Sequence, residues 1–222
     1  WKMAHFINIT YGAISQGLVW SIMVLGLFLS FRVLDYADLT VDGSLTLGGA
    51  VCATLISGGM QPIFALLVAT FAGALAGCVT GMLHTKLKIP TLLSGILTQT
   101  ALYSINLAIM QKATISLYRI DTLYTQVASL FNLDRRLAEL LTALFFCLVL
   151  LPFLRWFFNT TLGYAMRSPG NTHRLIRALG VKPNPKFALC LTRSNALASI
   201  GGASVAMSPT FADTELGPGT ML

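Results

Sequence analysis

The chain has 222 residues, of which 55% are hydrophobic and 10% charged, with a mean hydropathy of +0.73. Soluble domains carry about 25% charged residues, so this composition excludes an ordinary water-soluble domain and points to a protein that faces lipid. The net charge is +7, and the whole excess falls in one stretch. Arg155, Arg167, Arg174, Arg177, Lys182, Lys186 and Arg193 follow one another there with no acid between them, while bases and acids cancel over the rest of the chain. A basic island in an apolar chain reads as a cytoplasmic loop of a membrane protein and not as a nucleic-acid surface.

In chain order, a first span is expected over 10–31, free of charge until Arg32 and long enough to cross about 30 Å of hydrocarbon. A polar patch with Asp35, Asp38 and Asp42 follows. The next charge-free stretch, 43–85, is too long for one helix, and Ser57-Gly58-Gly59-Met60-Gln61-Pro62 is its natural break. This leaves a short or broken helix near 43–57, crossing or re-entering, and a full span over 62–83. Beyond Lys86, Lys88 and Pro90, a span covers 91–110. The mixed stretch 111–136 reads as a loop or surface helix, and 137–154 as a further span. The basic segment 155–193 separates it from a last apolar run, 194–212, and an acidic, turn-rich tail. The fold class is all-α: a polytopic transmembrane bundle forming a single domain over 1–222. Placing the Lys- and Arg-rich loops on one side puts 155–193 and Lys86 inside, 111–136 and the tail outside, and the N-terminus outside.

Several groups carry possible chemistry. Gly73, Gly77 and Gly81 recur with period four, so one helix edge lets a neighbouring backbone approach closely, either within the chain or at an oligomer seam. Gly95, Gln99, Tyr103 and Asn106 share one face of the 91–110 helix, with Thr98 and Thr100 beside it. Polar groups there line a wet path or bond to other helices, because lipid would leave them unpaired. Asn195, opening the last run, reads as a pathway residue or an N-terminal cap. Within the basic segment, Asn171 ends a turn and Gly180, Pro183 and Pro185 form a stop signal. Between them, Thr172 to Leu179 makes about two helical turns, with Leu175, Ala178 and Leu179 on one face and Arg174 and Arg177 at i, i+3. So short a helix needs a groove to dock in, or lies on anionic lipid beside the aromatic belt at Trp156-Phe157-Phe158.

Enzyme signals are missing. The sequence has no phosphate-cradling Gly-rich loop, H-E-x-x-H or G-x-S-x-G, and His5, His84 and His173 are far apart. Cys52, Cys78, Cys147 and Cys190 lack metal or redox spacing. No metal or cofactor is expected, and the Asp35/Asp38/Asp42 patch is the one place a membrane enzyme could use.

The order of motifs resembles a known family. Ala37-Asp-Leu-Thr-Val-Asp-Gly-Ser44, Leu83-His-Thr-Lys-Leu-Lys-Ile-Pro90, Leu97-Thr-Gln-Thr-Ala-Leu102, Gly163-Tyr-Ala-Met-Arg167 and Ser194-Asn-Ala-Leu-Ala-Ser-Ile-Gly-Gly202 are similar to permease subunits of bacterial ABC importers. The branch is the branched-chain amino acid and ribose type, and within it the tryptophan/tyrosine-type uptake group. The resemblance implies a multi-pass inner-membrane permease for a small polar solute, an amino acid, that dimerises with a second permease copy. Cytoplasmic ATPase subunits and an extracytoplasmic solute-binding protein are the implied partners. Asn171, Thr172, Arg174, Leu175, Arg177, Ala178, Leu179 and Gly180 would form the coupling helix. Asp38, Thr40, Asp42, Ser44, Gln99, Tyr103, Asn106 and Asn195 would line the path. Such permeases usually continue with two or three more spans, so the chain is expected to be C-terminally truncated. The alternative function is a secondary carrier acting without an ATPase.

Overall fold

Chain punctuation sets the helix ends. Gly59 takes φ +86° and Pro62 opens the next helix at its first turn, where a missing N–H leaves nothing unpaired. Lys88, Gln111 and Asn132 each adopt the left-handed conformation immediately after a helix. The computed structural model describes residues 2–34, 38–112, 114–117, 120–159, 183–208 and 211–213. Among these the helices are α1 (Lys2–Leu34), α2 (Thr40–Ser57), α3 (Pro62–Leu87), α4 (Thr91–Met110), α5 (Leu123–Phe131), α6 (Arg135–Phe158) and α7 (Pro183–Met207). Two short strands, β1 (Thr114–Ser116) and β2 (Phe211–Asp213), complete the set. Five segments, in α1, α2, α3, α4 and α6, are long and apolar enough to cross a membrane.

The bundle is built around α2 and α7. Every residue of α2 from Thr40 to Ala53 is buried. α7 packs against α1, α2 and α3, α4 lies on α2, and α6 docks on α1. Small residues allow this. Gly202 faces the Leu45 backbone and Gly48 faces Ser199, so closely that a Cβ at either position would overlap the opposing chain. The period-four glycines have the same use: Gly73 meets Ser199 and Asn195, Gly77 meets Leu191, and Gly81 meets Ala188. These three seat α3 antiparallel on α7, within the chain.

Direction follows from neighbouring residues. Gly95 lies beside Leu39 and Thr40, and Gly43 beside Gln99 and Leu102, so α2 and α4 run the same way with α3 returning between them. The segment expected as short or broken is thus a continuous helix of 18 residues that begins at Thr40. The last run also differs from expectation. Its helix starts at Pro183 inside the basic segment and ends at Met207, and 211–213 are strand.

At one end of the bundle β1 pairs antiparallel with β2, Thr114 opposite Asp213 and Ser116 opposite Phe211. The 111–136 stretch and the chain after α7 therefore share an end. There α5 is held by a capping box: the Thr122 N–H donates to Thr125 Oγ1 at 2.7 Å, and the Thr125 N–H to Thr122 Oγ1 at 3.4 Å. The Tyr124 hydroxyl donates to the Ser204 carbonyl at 3.3 Å, and Ser208 bonds Glu139. At the opposite end His84 stacks on Phe187 with ring centroids 4.5 Å apart, which brings Lys86 and Lys88 beside the start of α7.

Candidate functional site

The first turns of α2 send polar side chains to three different helices. Thr40 Oγ1 lies 3.1 Å from Thr80 Oγ1 on α3. Asp42 Oδ2 accepts from Gln99 Nε2 of α4 at 3.3 Å. Ser44 Oγ donates to Asn195 Oδ1 of α7 at 2.6 Å. Just ahead of the helix, Asp38 Oδ2 accepts from Asn195 Nδ2 at 3.0 Å, while its other oxygen takes the Thr40 N–H at 3.0 Å. Asp38 is 3% exposed, Asp42 5%, and Ser44 and Asn195 are fully buried. Burial pushes the Asp38 carboxyl above the ordinary carboxylate range, and the hydrogen bonds from Thr40 and Asn195 oppose that rise.

Asn195 links these elements. It sits mid-helix, with Nδ2 also donating to the Leu191 carbonyl at 2.9 Å, so it is not the cap that opens α7. The reason is the earlier start of that helix, which puts Asn195 more than three turns inside it. Its amide oxygen accepts from Ser44, and its NH2 donates to Asp38 and to the Leu191 carbonyl. Two further hydroxyls of α7, not distinguished in the sequence, also cross between helices: Ser199 donates to the Ala69 carbonyl at 2.6 Å and Ser194 to the Gly26 carbonyl at 2.7 Å. The signal for both lay in the Ser/Gly/Ala run around them, which marks close helix contact.

On α4, Ser94, Gly95, Thr98, Leu102, Asn106 and Met110 form the buried ridge. Gln99 borders it and reaches Asp42. Tyr103 is 44% exposed and stands apart from the polar group. Thr100, also outward, satisfies its hydroxyl on the Ile96 and Leu97 carbonyls of its own helix. The structure thus brings Asp38, Thr40, Asp42, Ser44, Gln99 and Asn195 together, places Asn106 further along the buried ridge of α4 and leaves Tyr103 outside. The expected coupling helix, Asn171 to Gly180, lies outside the described residues.

Chemically, this site offers acceptors and amide or hydroxyl donors. Ser44 is hydrogen-bonded to an amide oxygen, which cannot act as the base that would make it a nucleophile. Among the described residues no three His, Cys, Asp or Glu side chains are grouped to hold a metal ion. The arrangement ties α2 to α3, α4 and α7 through hydrogen bonds between buried polar side chains.

The family model described as the branched-chain amino acid transport system permease component matches residues 9–222. The chain belongs to this family. The permease is 38% identical over 208 residues to a tyrosine transport system permease protein of Clostridioides difficile, across 94% of this chain and 68% of that one. It is 35% identical over 215 residues to an uncharacterised protein of Rickettsia prowazekii, across 97% of this chain and 74% of that one. No solved structure matches it. The permease is therefore a multi-pass membrane transport subunit of the ABC type and not an enzyme. Its Asp38-to-Ser44 motif, the start of α2, is also where its buried polar side chains meet.

Proposed function

We propose that the permease forms the path for an amino acid through a bacterial inner membrane, driven by ATP hydrolysis in cytoplasmic partner subunits and loaded by an extracytoplasmic binding protein. One observation carries this reading: a carboxylate, amide and hydroxyl cluster lies buried where α2, α4 and α7 meet, in a chain of transport-permease family. Groups of this kind inside a membrane bundle mark a route for polar solutes. An amino acid, with its ammonium and carboxylate, complements carboxylate acceptors beside amide donors. The name of the Clostridioides difficile relative makes L-tyrosine the first solute to try.

In this reading the basic segment is cytoplasmic, the N-terminus is outside, and two permease copies assemble. The helix 172–179 sits in a groove of the ATPase, so that closure of the nucleotide-bound partners moves it as a lever. The α2, α4 and α7 contacts then exchange outward for inward access. Proteoliposomes containing the permease, the ATPase and the binding protein should take up labelled L-tyrosine or another amino acid only with ATP inside the ATPase compartment. Uptake driven by an ion gradient without the ATPase would overturn this in favour of a secondary carrier. Arg174→Glu with Arg177→Glu should abolish solute-stimulated ATPase activity. Unchanged ATPase activity and unchanged co-purification of the ATPase would sink the coupling assignment.

A further inference from the structure

Asn106 differs from every other buried amide and carboxylate described above. It is 1% exposed, and among the described residues neither its Nδ2 nor its Oδ1 has a hydrogen-bond partner. Three serine hydroxyls, on Ser15, Ser30 and Ser204, are also buried without a partner, but each is a single small rotor. The Asn106 amide brings two donors and an acceptor into an apolar contact, and native folds rarely leave such a group unused.

Its position gives the omission meaning. Gln99 and Asn106 are seven residues apart on α4, nearly two full turns, so they share a side of the helix about 10.5 Å apart along it. Gln99 reaches Asp42 at one end of this stretch. Between the two levels stands Leu102, 5% exposed, whose Cδ1 would be 3.0 Å from a Cβ on Gly43. The buried ridge of α4 thus has a polar level bonded to α2, an apolar side chain seated over a glycine, and then a second polar level at Asn106 whose amide atoms have no partner among the described residues.

We infer that Asn106 is a solute-contacting residue, whose amide bonds the polar head of the entering molecule before that molecule passes Leu102. The class of ligand is a small solute with donor and acceptor groups on neighbouring atoms, as an amino acid has. This rests on the proposed transport function. Because the amide does nothing for the resting fold, its replacement affects passage and not stability. A structural asparagine would behave in the opposite way, since its removal would leave a partner unpaired.

The test compares wild type, Asn106→Leu and Asn106→Ser in the assembled complex with ATPase and binding protein, using labelled L-tyrosine and L-leucine as probes. Asn106→Leu should leave the thermal midpoint equal to wild type or higher. Solute moved per ATP hydrolysed should fall about tenfold, the size expected for one or two lost hydrogen bonds. The ratio of tyrosine to leucine uptake should also change, and Asn106→Ser should recover part of the loss. A lowered midpoint in Asn106→Leu, or unchanged uptake and selectivity, would overturn the inference. Wild-type complex that moves neither these nor any other amino acid would instead overturn the transport reading. The thermal midpoint would still decide whether Asn106 serves the fold.

Discussion

α2 and α6 are both long enough to cross a membrane, yet 83% of the α2 segment is buried within the protein and only 28% of the α6 segment. The buried one is the more polar of the two. α2 carries Thr40, Asp42, Ser44 and Thr46 with Gly43, Gly48 and Gly49, while α6 presents Phe145, Leu148, Val149, Leu151 and Phe153 outward. In water the order would be reversed. In lipid, apolar side chains gain nothing by leaving the hydrocarbon, so they stay at the rim. Small and hydrogen-bonding residues have something to gain from a protein neighbour, so they collect inside. Hydrophobicity here records distance from the centre of the bundle.

Breaking the α2–α7 contact should have the largest effect. Gly202→Leu forces a side chain into the Leu45 backbone and should cost about 3 kcal/mol or more. The expected readout is loss of the monodisperse peak in size-exclusion chromatography of detergent-solubilised protein. A wild-type elution profile would mean that α2 and α7 can separate freely, and the comparison would fail at its strongest point.

Next in size is the polar junction. Asn195→Leu removes the donor to Asp38 and the acceptor for Ser44 at once, and should destabilise by about 3 kcal/mol, since hydrogen bonds to charged groups are the stronger kind. Thermal unfolding followed by intrinsic fluorescence should show a midpoint several degrees lower. The smallest change is expected on α6. Phe145, 64% exposed, replaced by alanine should shift stability by less than about 0.5 kcal/mol, measured in the same assay. A large loss there would mean that this face is covered by protein, not lipid.

The same logic explains what could be read from the sequence. Charge-free runs marked the apolar segments within α1, α3 and α4, with Arg32 ending the first and Gly59-to-Pro62 and Pro90 opening the others, because lipid exposure imposes an unbroken apolar stretch. The Gly73, Gly77, Gly81 edge was visible as a packing surface, although its partner α7 was not. Legibility failed where polar residues are buried. Asp38 and Asp42 made the start of α2 look like a loop, and Lys186 and Arg193 did the same for α7. Asn195 was consequently read as standing at a helix end, when it lies inside α7 and joins Asp38 to Ser44. Spacing placed Gln99 and Asn106 on one face correctly, but Tyr103, drawn to the same stripe by its period, lies outward. Periodicity gives a face; it does not say how wide the neighbour's footprint is.

The small β1–β2 ribbon bears on the order of assembly. Its two strands come from either side of α5, α6 and α7 in the chain. Among the described residues β1 has no strand other than β2 to pair with, and β2 follows α7 in the chain. Contacts so distant in sequence form late, because loop closure must precede them. The ribbon therefore acts as a final clasp. Its three residue pairs join segments about a hundred residues apart, so they can register only once the chain through α7 has been made.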